Sequence, residues 1–378
     1  MQNYRIWLSP PALAAHTSEA LSAALASNWI APAGPALEAF EAGLTALHGH
    51  RPTVATVSGT AALHLALLAA GIQPGDEVLV PDFTYAATAH AVAYCNALPV
   101  LVDTEDESPQ LSPHWLRVAA ADRRAKGRPL RAVVVAHLYG RAAPMGEVEA
   151  ICQEYELMLI EDAAEALGVW VDGRRVGTWG ELAALSFNGN KLITTGGGGA
   201  LICQNPTLHR LALTLAQQAR IPAEPWAHTG VGYNYRLSNV LAALGLAQLP
   251  LLDWHIAQRQ QIDLRYRLSL LEGEGWHFFS ENDRIHPNYW LATCWLDGAL
   301  DTTPDQVIGH LARSGIEGRR LWRPLREHPS FAACPFYGSR RGDFWFARGL
   351  CLPTGSHLTE AEQAEIVALC RAALRTYH

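Results

Sequence analysis

Between Thr53 and Asp162 the chain alternates short apolar runs with helical segments, and that alternation leaves few folds open. The runs are "TVATV" (Thr53–Val57), "EVLVP", "LPVLVD", "RAVVVAHLYG" and "LMLIED". They are rich in β-branched residues or leucine, and none alternates polar with apolar side chains. Strands lacking that two-residue period are buried on both faces. The intervening stretches have helical spacing: "AALHLALLAAG", "YAATAHAVAYCN", one from about Ser112 and one from about Pro144. The pattern predicts an α/β fold with a mainly parallel central sheet covered by helices.

Two helices precede this region, from Thr17 to Asn28 (capped by Thr17 or Ser18) and over "ALEAFEAGLTAL". Past Gly180 come shorter strands, "LAALSF" and "ALICQ". Helices follow near Leu208–Arg220, Ser238–Gln248 and Asp253–Glu272. The remainder mixes strands and helices and closes with "TEAEQAEIVALCRAALR". At 378 residues the chain is too long for one small core. The expected division is a large domain with an N-terminal arm over 1–250 and a smaller α+β domain over 251–378.

Open α/β sheets bind ligands at the carboxyl ends of their strands. Three candidate groups fall there: Ser58-Gly59-Thr60, Glu161-Asp162, and Ser186 to Lys191. Ser58-Gly59-Thr60 opens a helix whose unpaired N–H groups suit a phosphate; an ordinary helix cap uses the same residue types. It is neither a dinucleotide fingerprint nor a Walker loop. The tetraglycine at 196–199 runs into a strand, so it does not supply one. Asp162 ends a very apolar strand and needs a partner, which is a helix cap, a salt bridge or a protonated ring nitrogen. Lys191, alone, reads as a solvated loop residue; its place beside the other two groups argues against that. An amine, a phosphate cradle and a carboxylate for a pyridinium are together what pyridoxal 5'-phosphate requires.

Composition narrows the function classes. The formal net charge is -7 and no dense basic run reverses it, so nucleic acid is not an expected partner. The seven cysteines show neither zinc spacing nor a disulfide framework, so no metal site is expected and a reducing compartment is. "MQNYRIWLSPP" lacks a basic-then-apolar leader pattern, and no apolar stretch reads as long enough to span a bilayer. A cytoplasmic protein without a membrane partner is the expectation. His64 reads as a packed histidine, and His137 as a strand end close to the site. The charged clusters Asp122–Arg128 and Arg340–Asp343 read as solvated surface.

The whole chain resembles the sugar aminotransferases of the DegT/DnrJ/EryC1/StrS family, within the fold-type I pyridoxal-phosphate enzymes. The likeness rests on "LSPP", "SNWIAPAGP", "SGTAALHLAL", "GDEVLVPDFTYAATAHAV", "HLYGRAAPM", "LIEDAAEALG", "SFNGNKLITTGGGGALI", "GYNYRLSNVLAALGLAQL" and "LCLPTG", in that order. It implies that Lys191 forms the Schiff base, and that Ser186, Gly59 and Thr60 hold the phosphate. Tyr85 would stack on the cofactor, and Asp162 would pair with its ring nitrogen. Glu165 stands near the ring, where many members have glutamine. Asn234 and Arg236 of "GYNYR" would reach a neighbouring subunit's site across a homodimer interface. Trp29, Arg319 and Trp322 would meet the substrate. Arg320 and Arg326 depart from the family's R-P-L-W-x-x-x-H stretch.

"NGNK", "EDAAEALG" and "TTGGGG" resemble most the branch that makes UDP-linked 4-amino-4,6-dideoxy-N-acetylglucosamine on the way to N,N'-diacetylbacillosamine. That likeness implies a ping-pong transfer from glutamate to the C4 ketone of a UDP-linked 4-keto-6-deoxy-N-acetylhexosamine. Alternatives are a 3-amino or perosamine-type sugar aminotransferase on another nucleotide sugar, and a non-catalytic regulator that binds the cofactor.

Overall fold

A computed structural model describes residues 4–221, 223–270, 274–280 and 283–376. The first helices are α1 (Thr17–Ala26) and α2 (Pro35–Leu47). α1 starts from His16 with no side-chain cap, so the expected hydroxyl cap is absent, and the buried Thr17 hydroxyl has no partner among the described residues. The alternation then appears as β1 (Thr53–Thr56), α3 (Gly59–Ala69), β2 (Glu77–Pro81), α4 (Ala87–Tyr94), β3 (Leu98–Val102), α5 (Pro113–Ala125), β4 (Leu130–Ala136), α6 (Met145–Glu154) and β5 (Met158–Asp162). A small hairpin, β6 (Trp170–Val171) and β7 (Arg174–Arg175), precedes β8 (Leu182–Ser186) and β9 (Gly199–Cys203). Next come α7 (Pro206–Ala216), the hairpin β10 (Arg220–Ile221) and β11 (Glu224–His228), α8 (Asn239–Leu246) and α9 (Leu252–Ser269). Ser112 and Asn205 cap α5 and α7 with their side chains, and Pro113 and Pro206 fit the first helical turn.

The rest of the chain supplies β12 (Trp276–Phe278), β13 (Ile285–His286), β14 (Ala292–Leu296), α10 (Pro304–Arg313), β15 (Arg319–Arg320), β16 (Phe336–Tyr337), α11 (Arg341–Arg348), β17 (Gly349–Leu352) and α12 (Glu360–Thr376). The main sheet has eight strands in the order β1-β9-β8-β5-β4-β2-β3-β16. Only β9 runs against the others. Val133, Val135, Leu79 and Val100 pack into one core below the sheet, and Val134, Val78, Val80 and Leu101 into another above it. Burial on both faces is why these strands carry no polar alternation.

The second sheet, β12-β14-β17-β15, is antiparallel and packs with α9, α10 and α12 around Tyr266, Trp276 and Ile366. The two units exchange segments. Arg5 and Ile6 bond to Gly315, while β16 returns to the edge of the main sheet beside β3.

Two surface readings need correction. By length and composition the continuous helical run Asn239–Ser269, 31 residues, is long and apolar enough to cross a membrane. It is broken at the Leu249–Leu251 turn by Pro250, and α9 carries Arg259 and Asp263, both buried against neighbouring elements. Glu272, the expected end of this helix, lies outside the described residues.

The cluster Asp122–Arg128 is not plain solvated surface either. Glu77, fully buried at the start of β2, accepts from Arg123 Nε at 2.7 Å and Arg128 Nε at 2.7 Å. Burial alone would raise the Glu77 pKa, but the two guanidiniums outweigh it and hold the carboxyl below its ordinary value. This stabilisation is therefore full above the ordinary glutamate pKa and is lost as pH falls through the depressed one. Glu77→Gln should cost about 3–5 kcal/mol, the range for breaking a buried ion pair. A fall in denaturation midpoint at unchanged slope checks it, and the gap to wild type should shrink in acid. The other cluster is also engaged: Arg341 and Gly342 donate backbone N–H groups to Asp103, and Asp343 pairs with Arg326.

Candidate active site

β1, β4, β5 and β8 run parallel, so their carboxyl ends share one edge of the sheet. A cavity of about 400 Å³ opens there. Its walls include Ser58, Gly59, Thr60, Tyr85, His137, Asp162, Glu165, Ser186, Lys191, Trp290, Arg319 and Trp322. Residues from both units therefore meet at this edge.

Ser58 caps α3: its Oγ accepts from the Ala61 N–H at 3.0 Å. That leaves the first two N–H groups of the helix, Gly59 and Thr60, at the cavity wall with the positive end of the helix dipole. The glycine run explains how this turn lies so close to the lysine loop. Gly199 pairs with Thr56 on one side and Ser186 on the other. A Cβ there would stand 2.5 Å from Gly59 N and 2.6 Å from the Ser58 carbonyl. Gly198 likewise has no room beside Thr195, while Gly196 takes φ +80° in the turn. Gly199→Ala must push the turn away. Since misplacement by about 1 Å can cost roughly 10²-fold in rate, glutamate-dependent turnover of this variant should fall about 10²-fold, measured at saturating pyridoxal phosphate.

Lys191 sits in the loop between β8 and β9. Gln248, fully buried on the neighbouring helical run, accepts from Thr194 N at 3.2 Å and donates to Thr194 O at 2.8 Å. The lysine side chain is only 13% exposed. Its Nζ lies 4.0 Å from Glu165 Oε1, too far for a hydrogen bond, and 3.6 Å from the centre of the Trp290 ring. Burial lowers its pKa, against the pull of Glu165 and Asp162. A lysine held this way keeps a fraction of neutral, nucleophilic amine that a solvated one lacks.

Asp162 is buried and accepts from Thr88 Oγ1 at 2.7 Å and Ala164 N at 3.2 Å. Burial raises its pKa despite these bonds. Glu165 is likewise pushed up by burial, and its Oε2 accepts from Tyr139 N at 2.6 Å. Tyr139 holds the left-handed conformation (φ 58°) although buried, and its hydroxyl accepts from Trp322 N at 2.7 Å. Such strain in a non-glycine residue persists only when its surroundings fix it. Here it ties Glu165 to Trp322.

His137 lies at the end of β4. It accepts from Ala143 N at Nδ1 (3.2 Å), which leaves the proton on Nε2 to meet Glu161 at 3.1 Å. Glu161 also accepts from Gly177, Trp179 and Gly180 at 2.8 Å each. Burial would raise the Glu161 pKa, but these bonds reverse the shift and hold it low. Glu161 is thus fully used inside the fold, whereas Asp162, its neighbour in sequence, faces the cavity. His64 is buried against Tyr233 and Tyr235, outside the cavity wall.

The expected site residues divide into two sets. Gly59, Thr60, Tyr85, Asp162, Glu165, Ser186, Lys191, Arg319 and Trp322 surround the cavity. Trp29, Asn234 and Arg236 are not on its wall. Trp29 is half-exposed, its carbonyl held by Asn239, and Asn234 is exposed. Arg236 makes a two-pronged pair with Glu41 in its own chain. Arg320 and Arg326 are spent on Asp305 and on Asp82 with Asp343.

Sequence reading missed Thr88 and Trp290. Thr88 was findable, one helical turn beyond Tyr85. A further signal was overlooked: the chain has only two lysines, Lys126 and Lys191, among 29 basic residues. A chain that uses arginine almost everywhere keeps lysine where chemistry needs a neutral amine.

These residues fit pyridoxal phosphate. The helix end suits an anion, Asp162 is a buried acid without a cationic hydrogen-bond partner among the described residues, and Lys191 offers an amine shielded from water. The sequence profile of the DegT/DnrJ/EryC1/StrS aminotransferase family matches residues 11–371. EpsN of Bacillus subtilis, named as a pyridoxal phosphate-dependent aminotransferase, is 41% identical over 368 residues, covering 96% of this chain and 94% of that protein. The GDP-perosamine synthase of Caulobacter vibrioides is 35% identical over 373 residues, covering 96% and 97%. Among solved structures, S. venezuelae DesV in complex with a ketimine intermediate superposes with a TM-score of 0.87 at 30% identity, covering 97% and 98%.

Proposed function

The chain belongs to the DegT/DnrJ/EryC1/StrS family of pyridoxal phosphate-dependent sugar aminotransferases, and from that premise we propose that it moves the amino group of glutamate to the C4 ketone of a UDP-linked 4-keto-6-deoxy-N-acetylhexosamine. The observation that carries the transferase reading is the water-shielded Lys191 amine facing Asp162 and Glu165 beside the open end of α3. The motifs "NGNK", "EDAAEALG" and "TTGGGG" support the UDP-linked substrate. The relatedness to GDP-perosamine synthases supports a second reading, a GDP-linked sugar.

When bound, pyridoxal phosphate supplies a reactive aldehyde and a ring that draws electrons from the substrate's nitrogen-bearing carbon. The chain's residues do the rest. Gly59, Thr60 and Ser186 would hold the anion, with Ser58 capping the helix end that faces it. Asp162 keeps a ring cation protonated. Lys191 Nζ takes and returns the proton, a role for which its lowered basicity suits it. Glu165, with its carboxyl raised by burial, stands within reach as a proton-holding neighbour. Tyr85 would stack on the cofactor, and Trp322, whose ring lies 5.2 Å from that of Tyr85, would meet the substrate together with Arg319. We further propose a cytoplasmic homodimer, in which the exposed Trp29, Trp226 and Val231 and the Asn234 segment meet the second copy.

The test is incubation with glutamate and a panel of 3-keto and 4-keto sugar nucleotides on UDP and GDP, with the aminated carbon located by NMR. Amination at C4 of the UDP-linked N-acetyl sugar is expected. A GDP-linked product selects the second reading, and a 3-amino product removes the C4 assignment.

A further inference from the structure

Arg259 is a buried titratable group that the transfer reaction does not use. It lies on α9, is 1% exposed, and among the described residues has no carboxylate in contact and no acceptor for its Nε. Burial lowers its pKa to about 9. Burying a lone guanidinium is costly unless its hydrogens find acceptors. Its Nη1 donates to the Trp290 carbonyl at 2.5 Å and its Nη2 to Ser9 Oγ at 3.1 Å. Ser9 Oγ in turn donates to the Asn190 carbonyl at 2.9 Å, and Trp290 Nε1 donates to that same carbonyl at 2.7 Å. Asn190 immediately precedes Lys191. The network thus fixes both the backbone that carries the lysine and the ring under its amine. Nζ stands 3.6 Å above the ring centre, where an ammonium is attracted to the π face.

We propose that the indole face of Trp290 is the docking site of the Lys191 ammonium whenever that amine is not covalently bound to cofactor, and that Arg259 is the positioning residue for that face. The inference rests on Lys191 being the family's cofactor-linking lysine, and on nothing about which sugar is aminated. Docking holds the freed amine beside the reacting centre between the two halves of the cycle. It favours the protonated form against the burial that disfavours it. Glu165 and Asp162 favour that form too, Arg319 opposes it, and His137 and Tyr85 complete the titratable wall.

The chain's two lysines make the test direct. Cofactor-free protein is labelled with acetic anhydride from pH 6 to 11, and each lysine is followed by peptide mass spectrometry, with Lys126 as the exposed reference. A desolvated cation–π contact is worth enough to shift a pKa by about one unit. Removing it destabilises the ammonium, so the Lys191 midpoint should fall by about one pH unit in Trp290→Leu and by less in Trp290→Phe, which keeps a ring. The Lys126 midpoint should not move. Arg259→Lys, which keeps the charge and loses the fork, should shift the Lys191 midpoint the same way by a smaller amount. Unchanged or raised midpoints in both Trp290 variants overturn the docking site, as does an equal shift in Phe and Leu. An unchanged midpoint in Arg259→Lys overturns its positioning role. Because no sugar is present, these outcomes are independent of the substrate panel.

Discussion

Lys191→Ala should purify as a folded protein that gains no cofactor mass on borohydride reduction, whereas wild type should gain it at Lys191 alone. The substitution removes a side chain that makes no hydrogen bond among the described residues, only a contact with the face of Trp290 and one weak ion pair at 4.0 Å. Little stability depends on it; removing a desolvated amine relieves a burial cost. Catalysis depends on it fully. Positioned proton transfer contributes roughly 10²–10⁴-fold, and the same amine anchors the cofactor, so glutamate-dependent turnover should fall at least into that range. Turnover within a few-fold of wild type would remove Lys191 from the mechanism. Reduction linking the cofactor to Lys126 in wild type would do the same.

Asp162→Asn is the second large effect. Asparagine keeps the shape: its carbonyl oxygen accepts from Ala164 N, and its NH2 donates to Thr88 Oγ1, whose own proton turns to the Tyr85 carbonyl, so the fold should be preserved. What goes is the negative charge. Breaking a buried charge pair costs roughly 3–5 kcal/mol, so affinity for pyridoxal phosphate should fall about 10²- to 10⁴-fold, measured by fluorescence titration. The pH dependence follows from the sign of the shift. In the cofactor-free protein burial holds the Asp162 carboxyl above its ordinary pKa. Cofactor affinity of wild type should therefore weaken as pH falls through that raised value, and Asp162→Asn should lose the dependence. An unchanged affinity in the variant would mean that the ring nitrogen finds another partner.

The sheet and the lysine were legible because each leaves a local mark. Val133 to Val135, with no polar alternation, state burial on both faces within a few residues. Ser58 before an apolar helix states a capped N-terminus. β16 and the β6–β7 hairpin left no mark, since two-residue strands have no period to detect. The cluster around Arg123 looked like any solvated charge run. Its burial depends on Glu77, 46 residues away, which only the fold supplies. Trp290 is a harder case still. It bonds to Asn190 from 100 residues away, and nothing in "HPNYW" announces a partner. Arg236 was marked by its motif, whereas its pair with Glu41 on α2, 195 residues away, left no mark.

The pairing of Ser186 with Gly199 has a consequence for how this protein can vary. Because β9 runs opposite to its neighbours, the excursion bearing Lys191 leaves the sheet and re-enters it at one and the same rung of the β8–β9 ladder. It is a closed ring of fixed circumference, pinned at its waist by Gln248. Lengthening it by a single residue would leave both anchors in place and let the amine drift along the cavity floor. Divergent copies of this scaffold should change the count of residues in the β10–β11 hairpin, where Trp226 of β11 stands 94% exposed, long before they change it here.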